Sequence, residues 1–146
     1  MADRAQAIVR EVIAENQYMT IATSDEQRPW CAPVQFCCDT DLNFYFLSLP
    51  TSRHAQHMTK NPAVGLAIFD SQQPPFTGRG VQVDGVASHY SNDENPFATI
   101  GGLEMPVDLQ EVAPGYIAYK VEPRHFYVPR GYVDGTLRDE RLEVQL

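Results

Sequence analysis

The chain has 146 residues, 43% of them hydrophobic and 21% charged, the balance of an ordinary globular chain near single-domain size. Eleven Lys and Arg against nineteen Asp and Glu leave a formal charge of −8, which disfavours nucleic acid as a partner. No stretch approaches the roughly 20 apolar residues of a membrane span, and Met1 to Asn16 lacks the basic-then-apolar order of a signal peptide, so a cytoplasmic location is expected.

Ala5, Ile8, Val9, Val12 and Ile13 fall on one stripe at helical spacing, which predicts an amphipathic helix over residues 3–15 with Asp3 as N-cap and Asn16 as stop. Strand character begins at Tyr18 and runs to Thr23. A polar turn from Ser24 to Arg28 separates it from a second strand, Trp30 to Cys38, and the turn Asp39–Thr40–Asp41 leads to a third, Asn43 to Ser48, so that the three form a meander. Cys31, Cys37 and Cys38 are an odd count without metal-site spacing, and are expected in or near the core. Trp30 is expected in the core as well.

Pro50 ends the third strand, and Ser52 to Lys60 reads as a short helix stopped by Asn61 and Pro62. A strand from Ala63 to Asp70 follows, then a surface loop, Ser71 to Gly80, placed to cover a site. Val81 to Tyr90 is a further strand, with Gly85 marking a bulge or a close backbone approach. Asn92 caps an expected helix to Ile100, residues 104–115 are irregular, and Tyr116–Val121 and His125–Val128 resume strand character. Tyr116, Tyr119, Phe126 and Tyr127 on these strands suit core or dimer packing. With no repeat and no linker, one domain is expected. Many short strands joined by tight turns fit a closed or nearly closed antiparallel barrel with peripheral helices. An open α+β sandwich is the alternative, and closure is favoured because it removes exposed strand edges.

The chemistry concentrates where Ser48, Pro50, Thr51, Ser52, Arg53 and His54 carry a strand into a helix. A helix start offers unpaired N–H groups and the positive end of the dipole, hydroxyls add donors, and Arg53 adds a fork matched to phosphate. An ordinary cap by Thr51 or Ser52, with Arg53 in solvent, accounts for the same residues. The gathering of Arg53, His54 and His57 at one helix start of an acidic chain favours the anion site. His54 and His57 have no nearby carboxylate or Cys in sequence, and no metal is expected.

The ordered run of Ile21–Ala22–Thr23, then Pro29 to Phe36, Phe44 to Ser48, Ser52–Arg53–His54–Ala55, Asn61–Pro62 and Val81 to Gly85 resembles the FMN-binding split barrels related to pyridoxamine 5′-phosphate oxidase. The resemblance spans Tyr18 to Tyr90, about half the chain. It implies an antiparallel split β-barrel, a bound FMN, and a homodimer with the flavin between subunits. Pro33, Val34, Gln35 and Phe36 would line the isoalloxazine edge, followed by Leu47 and Ser48. Ser52 and Arg53 would hold the phosphate, with His54 where a lysine is common, and Gln82 would add a polar contact. The C-terminal Trp and Arg motif of the true oxidases is not reproduced by Arg138, Asp139, Glu140, Arg141, Leu142 and Glu143, so vitamin B6 oxidation is not expected. The implied function is an FMN-dependent oxidoreductase taking hydride from a nicotinamide cofactor and acting on a small molecule. The alternatives are a non-catalytic flavin-binding or sensing dimer, or a deazaflavin- or haem-binding member with His89 or His125 as the axial ligand.

Overall fold

The computed structural model describes residues 1–76, 79–135 and 140–146, without the Tyr132 side chain. Thr77 and Gly78 of the expected loop, and Arg138 and Asp139 of the C-terminal segment, lie outside the described residues. In chain order the elements are α1 (Ala2–Glu15), β1 (Tyr18–Ser24), β2 (Pro29–Gln35), β3 (Cys37–Cys38), β4 (Phe44–Ser48), α2 (Arg53–Lys60), β5 (Ala63–Phe69), β6 (Gly80–His89), α3 (Pro96–Thr99), α4 (Leu109–Val112), β7 (Ile117–Pro129), α5 (Arg130–Asp134) and β8 (Arg141–Val144). No helix among the described residues is long and apolar enough to cross a membrane.

The strands form one antiparallel sheet in the order β2-β1-β5-β6-β7-β4-β3, with β8 also on β7. Phe36 alone separates β2, at one end of this path, from β3, at the other. The chain itself therefore closes the sheet, and the architecture is an antiparallel split β-barrel. Phe36 is buried against Phe44 at a ring separation of 5.8 Å, and its N–H donates to the Gln17 carbonyl.

Three sequence expectations about connectivity are corrected. The middle strand of the expected meander breaks at Phe36: β2 makes a hairpin with β1, β3 pairs with β4, Cys37 opposite Tyr45, and β4 also pairs with the first half of β7, Phe44 opposite Val121. The two late strands are one, β7, whose later residues pair with β8, Phe126 opposite Val144. The helix expected from Asn92 is a single turn starting at Pro96, because proline fits the first helical position and not the interior. Asn95 caps it, wholly buried, with its Oδ1 accepting from Phe97 N–H and its Nδ2 donating to the Pro106 carbonyl.

Inside the barrel, Ile21, Phe44, Phe46, Ile68, Val81, Val121 and Val128 are sealed from solvent, and the predicted stripe Ala5, Ile8, Val9, Val12 and Ile13 of α1 closes over them. Helix α1 opens on Met1, not Asp3, and stops at Asn16. Gly85 sits at the register shift between β6 and β7, as a glycine inside a strand suggests. A Cβ there would lie 2.7 Å from the Glu122 carbonyl oxygen and 2.9 Å from Val121 Cγ1. Gly85→Ala is therefore expected to destabilise the fold by about 1–3 kcal/mol, measured as a lower urea midpoint; an unchanged midpoint would contradict the close approach.

Candidate functional site

Helix α2 follows from local chemistry. Pro50 interrupts the strand, Ser52 N–H closes a turn onto the Leu49 carbonyl, and Ser52 Oγ accepts from Ala55 N–H at 3.3 Å as the N-cap. Its buried face, Ala55, His57 and Met58, packs on the barrel core. Ser52 is thus the cap and Thr51 is not. The backbone N–H groups of Arg53 and His54, the first two of the helix, have no hydrogen-bond partner among the described residues, which leaves two donors directed out of the helix start.

Arg53 is not loose in solvent. Its guanidinium carbon lies 4.2 Å from the centroid of the Trp30 ring, at the beginning of β2. Trp30 is 40% exposed and so is not the core residue expected; as the second residue of β2 it stands at the barrel's end, where the adjoining helix start covers it instead. Cys31 is likewise exposed, being on the outward side of β2, while Cys37 and Cys38 are half-buried free thiols that burial pushes up to about 12.

His54 does not reach outward as a lysine would. Its Nε2 faces Ser48 Oγ at 2.5 Å and Ser52 Oγ at 3.3 Å, and its ring lies 6.2 Å from that of Phe46. Burial, and then the charge of His57, lower its pKa, so the ring is mainly neutral at pH 7. A base whose folded pKa is depressed contributes stability above its unfolded value, about 6.5, and loses it as pH falls through the folded value. The wild-type protein should therefore lose stability between pH 7 and pH 5 more steeply than His54→Gln, read by urea unfolding at each pH; parallel profiles would remove His54 as a cause. His57, expected at the same helix start, turns into the barrel: Nδ1 is 3.1 Å from Thr23 Oγ1, and Nε2 is 3.9 Å from Asp25, whose carboxylate the Arg28 and Gln27 N–H groups hold below its usual range.

The β2 residues divide by face. Val34 and Phe36 point into the core at 8% and 6% exposure, so any contact they make with a ligand on the outer face would be through backbone. Pro33 and Gln35 are exposed on the outer face. Ser48 is buried under His54, and Leu47 lies on the opposite face of β4. Gln82, on β6, faces outward, and its Oε1 accepts from Arg141 Nε at 2.7 Å.

Sheet register brings two distant candidates into one row, Pro33–Thr20–Ala67–Gln82–Tyr127, with Cys31–Ala22–Gly65–Asp84–His125 beside it. In the strands β2, β1 and β5 these rows carry small or flat side chains and no charge, and a cavity of about 300 Å³ opens at their edge, lined by Ala67, Phe69, Gln82, Pro129 and Arg141. Of the late aromatics, Tyr119 and Phe126 are core, whereas Tyr127 lies beside Gln82 on the outer face. The Trp30–Arg53 stack and the Thr23–His57 bond were not readable in sequence, since each joins segments distant in the chain and neither has a local motif.

The fold is an antiparallel split barrel whose α2 start leaves two backbone N–H groups without a partner among the described residues. A family model described as pyridoxamine 5′-phosphate oxidase matches residues 5–128, and the chain belongs to that family. No curated protein matches the sequence. Among solved structures, a candidate pyridoxamine 5′-phosphate oxidase from Listeria innocua is similar at TM-score 0.68 and 16% identity, covering 84% of this chain and 96% of its own. The haem storage protein HutZ from Vibrio cholerae is similar at 0.65 and 18%, covering 86% and 94%. A FAD-binding protein from Mesorhizobium loti is similar at 0.61 and 15%, covering 80% and 88%.

Proposed function

We propose that the chain is an FMN-binding flavoprotein and an FMN-dependent oxidoreductase that draws hydride from a nicotinamide cofactor for a small-molecule substrate, working as a homodimer. The observation that carries this reading is the start of α2, where Arg53 and two backbone N–H groups with no partner among the described residues stand together in a chain of net charge −8. The site's donors suit the phosphate of a mononucleotide. Arg53 and the N–H groups of Arg53 and His54 would hold it, with the Ser52 cap fixing their direction and the Ser48–His54 pair supporting the turn from below.

The face next to this grip suits a flat ring. Thr20, Ala22, Pro33, Gly65 and Ala67 present no charge and little relief, and Gln35 and Gln82 supply amides at its margins. When bound, a flavin supplies the hydride chemistry. The protein's part is to hold, orient and desolvate; no nucleophile-base pair is needed. Tyr18 at 61% and Phe69 at 57% exposure flank the same face, and a second copy of the chain covering it would bury both and exclude water from the pocket.

Two measurements test this. Purified protein mixed anaerobically with NADH or NADPH should bleach its bound flavin, and its mass in solution should be twice that of the chain. Flavin that stays oxidised would leave a binding or sensing dimer. A haem reading is favoured by one observation, His125, whose Nδ1 is oriented by Asp84 at 2.9 Å while the ring stays half exposed. A Soret band on mixing with haemin, lost in His125→Ala, would support it over flavin.

A further inference from the structure

We propose that Trp30 is a positioning residue for phosphate capture, its ring face holding the Arg53 guanidinium so that the in-plane N–H donors stay unspent. The inference rests on the reading of the α2 start as a phosphate grip. Three other arginines of this acidic chain lie on carboxylates: Arg79 contacts Glu11 at 2.7 Å and Glu15 at 2.6 Å, Arg124 contacts Glu122 at 2.8 Å, and Arg130 contacts Asp134 at 3.1 Å, whereas Arg10 and Arg28, like Arg53, have no carboxylate within salt-bridge distance among the described residues but lack the aromatic partner that Arg53 has. Each carboxylate contact consumes donors and neutralises charge. Arg53 has no carboxylate within salt-bridge distance among the described residues, and it lies on an aromatic ring at 4.2 Å instead.

The physical difference between the two kinds of partner decides the role. A guanidinium is attracted to the negative face of an indole through its own flat face, whereas its hydrogen-bond donors point outward in its plane. Stacking therefore restrains a long side chain while leaving its charge and its fork available to an incoming anion. A carboxylate at the same place would restrain Arg53 and disable it. Trp30 is the chain's one tryptophan, and it stands 40% exposed at the barrel's end, where its visible partner is Arg53. Ring binding by a flavin has no need of this contact; phosphate binding does.

FMN and riboflavin differ by the phosphate, so their affinities separate this role from a structural one. Trp30→Ala should weaken FMN by roughly 3- to 20-fold and leave riboflavin unchanged, and Trp30→Phe should stay within about threefold of wild type. In an Arg53→Ala background, Trp30→Ala should add little. An equal loss for both flavins, an unchanged FMN affinity, or full additivity with Arg53→Ala would overturn the proposal. If wild-type protein binds neither flavin, the flavin reading fails, and titration with inorganic phosphate followed by Trp30 fluorescence then decides. A change that Arg53→Gln abolishes supports the positioning role, and no change overturns it.

Discussion

Replacing Arg53 by alanine is expected to weaken FMN binding by about 1.5–3 kcal/mol, or about tenfold to a hundredfold, with riboflavin affinity unaltered. The expectation follows from what surrounds the side chain. No carboxylate of the described residues neutralises it, the two N–H groups at the same helix start have no internal partner, and the hydroxyls of Ser48 and Ser52 are engaged with His54. Among the described residues Arg53 is thus the formal positive charge held ready at this helix start, and its removal would leave a bound phosphate with backbone donors alone. Arg53→Lys should recover part of the loss, because it restores the charge without the fork or the stacking plane. Isothermal titration of both flavins measures this directly, and an FMN affinity equal to wild type in Arg53→Ala would remove the residue from the site.

The second large effect is on the fold. Phe46→Ala should cost about 3–5 kcal/mol of stability, because it leaves a cavity that close-packed neighbours cannot fill. Phe46 is fully buried in β4, stacks on Tyr119 at 5.4 Å and 20°, and lies 6.2 Å from His54. It therefore joins the barrel core to the underside of the α2 start. Phe46→Leu should cost clearly less, and the difference in urea midpoint between the two variants measures the aromatic packing. A loss below about 1 kcal/mol for Phe46→Ala would mean that this core is not packed as described.

What the sequence made legible follows from how far each feature reaches along the chain. The α1 stripe was readable because helical periodicity is local, and all five of its predicted residues are buried. The Gly85 bulge was readable because a glycine inside a strand has few other uses. The break of the meander's middle strand at Phe36 was not readable because it is set by tertiary closure: β2 pairs with β1 and β3 with β4, at opposite ends of the sheet path. At the site, the helix start was legible from Pro50, Ser52 and Arg53. The faces of β2 were legible too, since Ala32, Val34 and Phe36 alternate with Cys31, Pro33 and Gln35, but family resemblance names a strand and not a face. The resemblance puts His54 where a lysine is common, whereas its surroundings make it a half-buried partner of two serines.

The absorbance spectrum of freshly purified protein distinguishes a flavoprotein from a colourless barrel. It should show the yellow, two-banded spectrum of oxidised flavin, with the released chromophore identified as FMN and depleted in Arg53→Ala protein prepared in parallel. Colourless protein that gains no flavin spectrum on mixing with FMN would contradict the flavin reading.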